Sequence, residues 1–106
     1  MTKFLWHGSY SQAGARGLIA AGGTKRRADV EQALAGVGGT LEAIYWAFAE
    51  DDYYAIVDFP DRVSEAAVNL ATTAAGLVEV KSVVLMTAEE LDEATQRSAT
   101  YSVPGT

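Results

Sequence analysis

The chain has 106 residues, a formal net charge of −6 and no cysteine, with 49% hydrophobic and 21% charged residues. That length fits one domain, which would fold from about 16,000 to about 5,700 Å² of surface and bury one core. The composition excludes a disordered chain, disulfides, zinc–thiolate and iron–sulfur sites and thiol catalysis, and the acidic balance argues against nucleic acid as a partner.

Lys3 to Ser9 alternates, with Phe4, Trp6 and Gly8 on one side and Leu5, His7 and Ser9 on the other, which predicts a strand. It shows no signal-peptide apolar region, and no apolar run reaches the roughly 20 residues of a membrane helix. With the missing cysteines this points to a cytoplasmic protein without a membrane partner. Ser11 to Ala21 predicts a helix contacting the core through Leu18 and Ile19, broken by Gly22-Gly23. Thr24 is expected to cap a second helical piece, with Val30, Leu34 and Val37 as its apolar stripe and Gly36, Gly38 and Gly39 at its end. Thr40–Ala49 and Tyr53–Phe59 predict two strands joined by a tight turn at Glu50-Asp51-Asp52. Asp61 is placed to cap a helix that runs to about Ala75 with Val63, Ala67, Leu70 and Ala74 inward, and Gly76 stops it. Leu77 to Met86 is a further strand. Thr87 and Glu90 form a capping box for a last helix that ends near Gln96.

The order βα(α)ββαβ predicts an α+β, ferredoxin-like fold: a four-stranded antiparallel sheet with helices on one face. One domain is expected over residues 1–96, followed by an extended tail over 97–106. The small residues Ala43, Ala47, Ala55, Val57 and Val80 are assigned to the helix side. The other face then holds Leu5, Ile44, Trp46, Phe48, Tyr54, Ile56, Val83 and Leu85, more apolar surface than a monomer normally exposes. Covering several hundred Å² at roughly 25 cal/mol per Å² stabilises by about 10 kcal/mol before association costs. A homodimer packed sheet to sheet is the expectation.

Several stretches carry a resemblance. They are Lys3-Phe4-Leu5, Gly8-Ser9-Tyr10-Ser11, Gly14 to Gly17, Gly22-Gly23-Thr24-Lys25-Arg26-Arg27, Leu41 to Phe48, and Ile56-Val57-Asp58 with Pro60-Asp61. Together they resemble the GYD domain family over about residues 3 to 95. At the hairpin the family's Gly-x-Tyr-Asp reads Ala49-Glu50-Asp51-Asp52, so Asp52 is the shared residue. The resemblance implies the dimeric α+β barrel superfamily, which includes cofactor-free monooxygenases, haem-degrading enzymes, isomerases and plain binding proteins.

Four of the eight basic residues, Arg16, Lys25, Arg26 and Arg27, fall within twelve positions. Lys25, Arg26 and Arg27 sit in the first turn of a predicted helix, where positive charge opposes the helix dipole. They are read either as an anion-binding group or as partners of Asp29, Glu31 or acids of a second copy. His7, the only histidine, is placed on the sheet–sheet side. It is a candidate general base with Tyr54 or Asp58, a candidate haem ligand, or an interior histidine held by Ser9 or a tyrosine. Trp46 and Phe48, with Ser9, are candidates for lining a small apolar or aromatic ligand, or are simply core and interface. Asp58 interrupts a strand and is expected to pair with Lys81 or His7. The acids of the hairpin are read as turn and cap residues rather than metal ligands, and no resident cofactor is called for. Three functions stay open: a binding or assembly protein, a cofactor-independent enzyme transferring a proton through His7, and a haem-binding protein.

Overall fold

A computed structural model describes residues 1–105. The elements are β1 (Thr2–Gly8), α1 (Gln12–Ala21), α2 (Gly23–Ala35), β2 (Thr40–Trp46), β3 (Tyr53–Phe59), α3 (Arg62–Ala75), β4 (Lys81–Leu85) and α4 (Ala88–Thr95). The strands form one antiparallel sheet in the order β2-β3-β1-β4, the ferredoxin-like arrangement.

Alternation builds the core. Phe4 and Trp6 of β1 and Tyr53, Ala55, Val57 and Phe59 of β3 point to the helix side and join Leu34 of α2 in the buried cluster. Phe59 sits between Phe4 at 6.0 Å and Trp6 at 5.5 Å. Val30 and Val37 pack around Leu34 as the spacing predicted. Local rules end the helices. Ser11 accepts from Gly14, Asp61 from Ser64, and Thr87 and Glu90 close a reciprocal capping box. Thr24 does not cap α2: the joint with α1 is Gly22, whose φ of 81° lies in the left-handed region open to glycine, and α2 begins at Gly23. At Gly14 a Cβ would run into the Leu77 carbonyl, so α1 lies against the chain entering β4 only because a glycine stands there.

Three further expectations are corrected. First, β2 carries a bulge between Leu41 and Ala43, and the extra residue inverts the alternation after it. Ile44 pairs with Ala55 and Trp46 with Tyr53, so both face the helices, while Ala43 and Tyr45 face outward. Second, α3 turns its expected apolar stripe to the outside: Val63 is 78% and Leu70 70% exposed. The buried inward residue is Glu65, 1% exposed, because the buried Trp6 indole beneath it needs an acceptor. Its carboxylate accepts from Trp6 Nε1 at 3.0 Å and Ser82 Oγ at 3.1 Å, with Arg62 at 3.5 Å. Third, β2 ends at Trp46 rather than Ala49, so the tight turn is instead a loop over 47–52, and β4 is confined to Lys81–Leu85 rather than Leu77–Met86; β3 keeps its expected bounds.

After β4 the chain leaves the packed body of the fold. Every described residue from Ala88 onward is exposed, Leu91 and Tyr101 included. The radius of gyration is 17.0 Å against about 13 Å for a compact chain of this length. The exposed surface is 7165 Å² against about 5,700 Å². Among the described residues no helix is long and apolar enough to cross a membrane.

Candidate functional site

Residues paired across neighbouring strands point to the same side, so pairing defines ranks across the helix-free face. In strand order, one end rank is Tyr45, Tyr54, His7, Lys81; the middle rank is Ala43, Ile56, Leu5, Val83; the far rank is Thr40, Asp58, Lys3, Leu85. The apolar patch is therefore Leu5, Tyr45, Tyr54, Ile56, Val83 and Leu85. It gains Tyr45, which is 73% exposed, and loses Ile44 and Trp46 to the core and Phe48 to the loop.

His7 lies in the end rank with its ring stacked on Tyr54, centroids 6.0 Å apart and planes 8° from parallel. Its Nδ1 is 2.7 Å from Asp51 Oδ2. The other oxygen of Asp51 accepts from Lys81 Nζ at 2.9 Å, and Lys81 lies 3.6 Å from Glu79. Asp51 is only 7% exposed. The hydrogen bond from His7, and then that from Lys81, hold its carboxyl below the ordinary 3.8. The same contact with Asp51 raises Lys81. An ionised carboxylate only accepts, so Nδ1 carries the proton and the lone pair of the neutral ring sits on Nε2. Among the described residues Nε2 has no hydrogen-bond partner.

The loop over 47–52 delivers Asp51. It folds back on the end of β1: the Asp52 amide donates to the Gly8 carbonyl at 2.7 Å, and the Asp52 carboxylate accepts from the Tyr10 amide at 2.9 Å. Ala47 N and Asp52 O close the loop at 2.9 Å. Within it Phe48 adopts φ 52°, a left-handed conformation that costs an aromatic residue of order 1 kcal/mol and that the surrounding bonds maintain.

The other expected site residues scatter. Asp58 pairs with Lys3 at 3.0 Å, in the far rank, rather than with Lys81 or His7, and Lys3 also holds Glu42 at 2.7 Å. Glu42 first and Asp58 second raise Lys3. Ser9 gives its carbonyl to Glu79 N at 2.7 Å and lines a groove with Thr73 and Gly76; the group that holds His7 is Asp51. Phe48 is 62% exposed on the loop. Trp46, on the helix side, donates from Nε1 to Tyr10 Oη at 3.0 Å. Lys25 pairs with Asp29 at 3.1 Å and Arg27 with Glu31 at 3.8 Å, each one helical turn on, as their structural reading required. Arg26 has no such partner. Asp51 as the His7 partner was not read from sequence. The signal present was a run of three acids, more charge than a turn needs. Among the described residues no three His, Cys, Asp or Glu side chains group as a metal site.

The model of the GYD domain family matches residues 4–95. The chain belongs to that family. The match runs from β1 to the end of α4 and so contains His7, Asp51, Tyr54 and Lys81, and the ferredoxin-like fold agrees with the α+β barrel superfamily. Asp52, which the GYD motif and this chain share, is the residue that ties the hairpin loop to β1. No curated protein and no solved structure matches the chain.

Proposed function

We propose that this GYD protein works as a homodimer whose helix-free sheet faces enclose a small aromatic or cyclic molecule, and that His7 accepts a proton from it. The observation that carries this is the 2.7 Å contact between His7 Nδ1 and the buried, ionised Asp51. It fixes the tautomer, directs the basic nitrogen away from Asp51, and stabilises the imidazolium formed on proton uptake. Tyr54, flat against the imidazole, orients the ring and offers an aromatic surface beside Nε2.

Dimerisation is supported by the composition of the face. Four strands about 4.8 Å apart and five to seven residues long present roughly 19 by 20 Å. Across it stand six large apolar side chains, flanked by ionic groups at the two end ranks. A sheet-to-sheet contact of that size is small for a stable dimer, which buries about 800 Å² per partner. The exposed arm after β4 supplies the remainder by lying over the second copy.

Sedimentation velocity tests the dimer: the parent sediments as a dimer at micromolar concentration and Leu5→Glu as a folded monomer. A monomeric parent would refute the assembly. Proton acceptance is tested with 2-naphthol, followed by its fluorescence. Binding with formation of naphtholate is expected in the parent and lost in His7→Ala. Retention in His7→Ala would refute the role of His7. A Soret band on haem titration that vanishes in His7→Ala would replace proton transfer by haem ligation.

A further inference from the structure

On the other side of the sheet, between it and the helices, lies a cavity of about 100 Å³ that reaches Trp6, Tyr10, Arg26 and Tyr53. Two grooves adjoin it, of about 450 Å³ between α2 and α3 and about 210 Å³ beside α1. All three share Arg26 and Val78. Apart from Asp29 and Thr72, the remaining walls are apolar: Val30, Ala33, Ile44 and Val68 in the cavity, Ala67, Ala71 and Leu77 along the larger groove.

Two donors in this cavity are unspent. Arg26 Nε is buried and has no hydrogen-bond partner among the described residues. Six of the eight basic side chains lie within 4.0 Å of an acid, and only Arg26 and the exposed Arg16 do not, among the described residues. Asp29 lines the same cavity but is held by Lys25 at 3.1 Å. The second donor is the Tyr10 hydroxyl. It accepts from Trp46 Nε1 at 3.0 Å, which leaves its own proton without an acceptor among the described residues. A buried N–H of a guanidinium left unpaired is costly, and folded proteins retain such groups where something else completes them.

We infer that this cleft is a second ligand site, specific for a monocarboxylate with an unbranched apolar body. The carboxylate takes the Arg26 guanidinium and the Tyr10 hydroxyl, and the alkyl chain runs along the groove between α2 and α3. One negative charge matches one uncommitted guanidinium. The Asp29 carboxylate on the wall opposes a dianion such as a phosphate monoester. Because the cleft and His7 lie on opposite sides of the sheet, this inference and the proton-transfer reading stand or fall separately.

Calorimetric titration of the full chain with octanoate, 1-octanol and octyl phosphate tests it. Octanoate is expected to bind at least about tenfold more tightly than either other probe. Arg26→Gln should weaken octanoate by about tenfold or more and leave octanol unchanged, Tyr10→Phe should weaken octanoate by about threefold, and His7→Ala should change nothing. Arg26→Met, which removes the unpaired N–H at similar volume, is expected to melt no lower than the parent. The inference is overturned if octanoate does not bind at millimolar concentration, if octanol or octyl phosphate binds equally well, or if Arg26→Gln keeps the affinity. A lower melting temperature for Arg26→Met would overturn it too, since the guanidinium would then be satisfied by the fold itself.

Discussion

Replacing Glu65 with alanine removes the one acid at the centre of the helix–sheet interface. Its carboxylate is 1% exposed and accepts from the buried Trp6 indole at 3.0 Å. Without it the indole N–H has no acceptor, at a cost of about 1–3 kcal/mol. The deleted buried methylene adds about 0.8 kcal/mol and the vacated volume somewhat more. Ser82 and Arg62 are exposed and turn to water, so their loss adds about 0–1 kcal/mol. Relief from holding a carboxylate out of water works in the opposite direction. The balance is about 3 kcal/mol, or a melting temperature lower by about 12–20 °C for a chain of this length. Urea unfolding followed by tryptophan fluorescence, at one fixed protein concentration, measures it. Glu65→Gln keeps an acceptor for Trp6 and is expected to cost about 1 kcal/mol. A Glu65→Ala variant less than about 1 kcal/mol below the parent would show that the indole bond does not carry the interface, and the account of α3 would fall with it.

Asp51→Asn places an amide N–H against either Lys81 or His7, so nitrogen-resolved NMR of the imidazole should change from a single Nδ1-protonated form to a mixture, and naphtholate formation should weaken. Asp61→Ala, which deprives α3 of its acceptor for Ser64 N, is expected to cost about 1 kcal/mol in the same urea assay. Acid should act through Asp51, Asp61 and Glu90, whose folded values lie below their ordinary 3.8, 3.8 and 4.5 because His7, Ser64 and Thr87 respectively bond them. A lowered folded value means stabilisation that is complete above the unfolded value and lost as pH falls through the folded one. The urea midpoint should therefore hold steady from pH 7 to about 5 and decline below about 4. A decline that begins near pH 6 would contradict this assignment.

What sequence could convey here depended on how local the physics was. The helix caps at Ser11, Asp61 and Thr87 and the stop at Gly76 are decided within four residues, and each lies where its letters place it. The alternation of β1 and β3 is equally local, and it put Phe4, Trp6, Ala55 and Val57 on the correct side. Apart from the Thr24 cap, displaced by the neighbouring Gly22, the errors arose where a distant group decides the outcome. On α3 the apolar residues promised the inward stripe, but the buried Trp6 indole, some sixty positions away, requires an acceptor and turns Glu65 inward instead. His7 and Tyr54 were paired in advance because both lie on one face. Asp51 reaches them through a loop whose path depends on bonds to Gly8 and Tyr10. The basic cluster divided as its spacing allows: Lys25 and Arg27 have acids four positions on, whereas Arg26 has Val30 there and lines the cleft.

The surplus residue, Glu42, has a consequence for how relatives of this chain are compared. Downstream of it, odd and even positions exchange sides, so a kinsman lacking that insertion would show its tryptophan on the helix-free face while matching this chain letter for letter over the rest of β2. Any transfer of residue roles along this strand must first locate the pause; otherwise Trp46 and Tyr45 trade places, and the two faces of the sheet are credited with each other's residues.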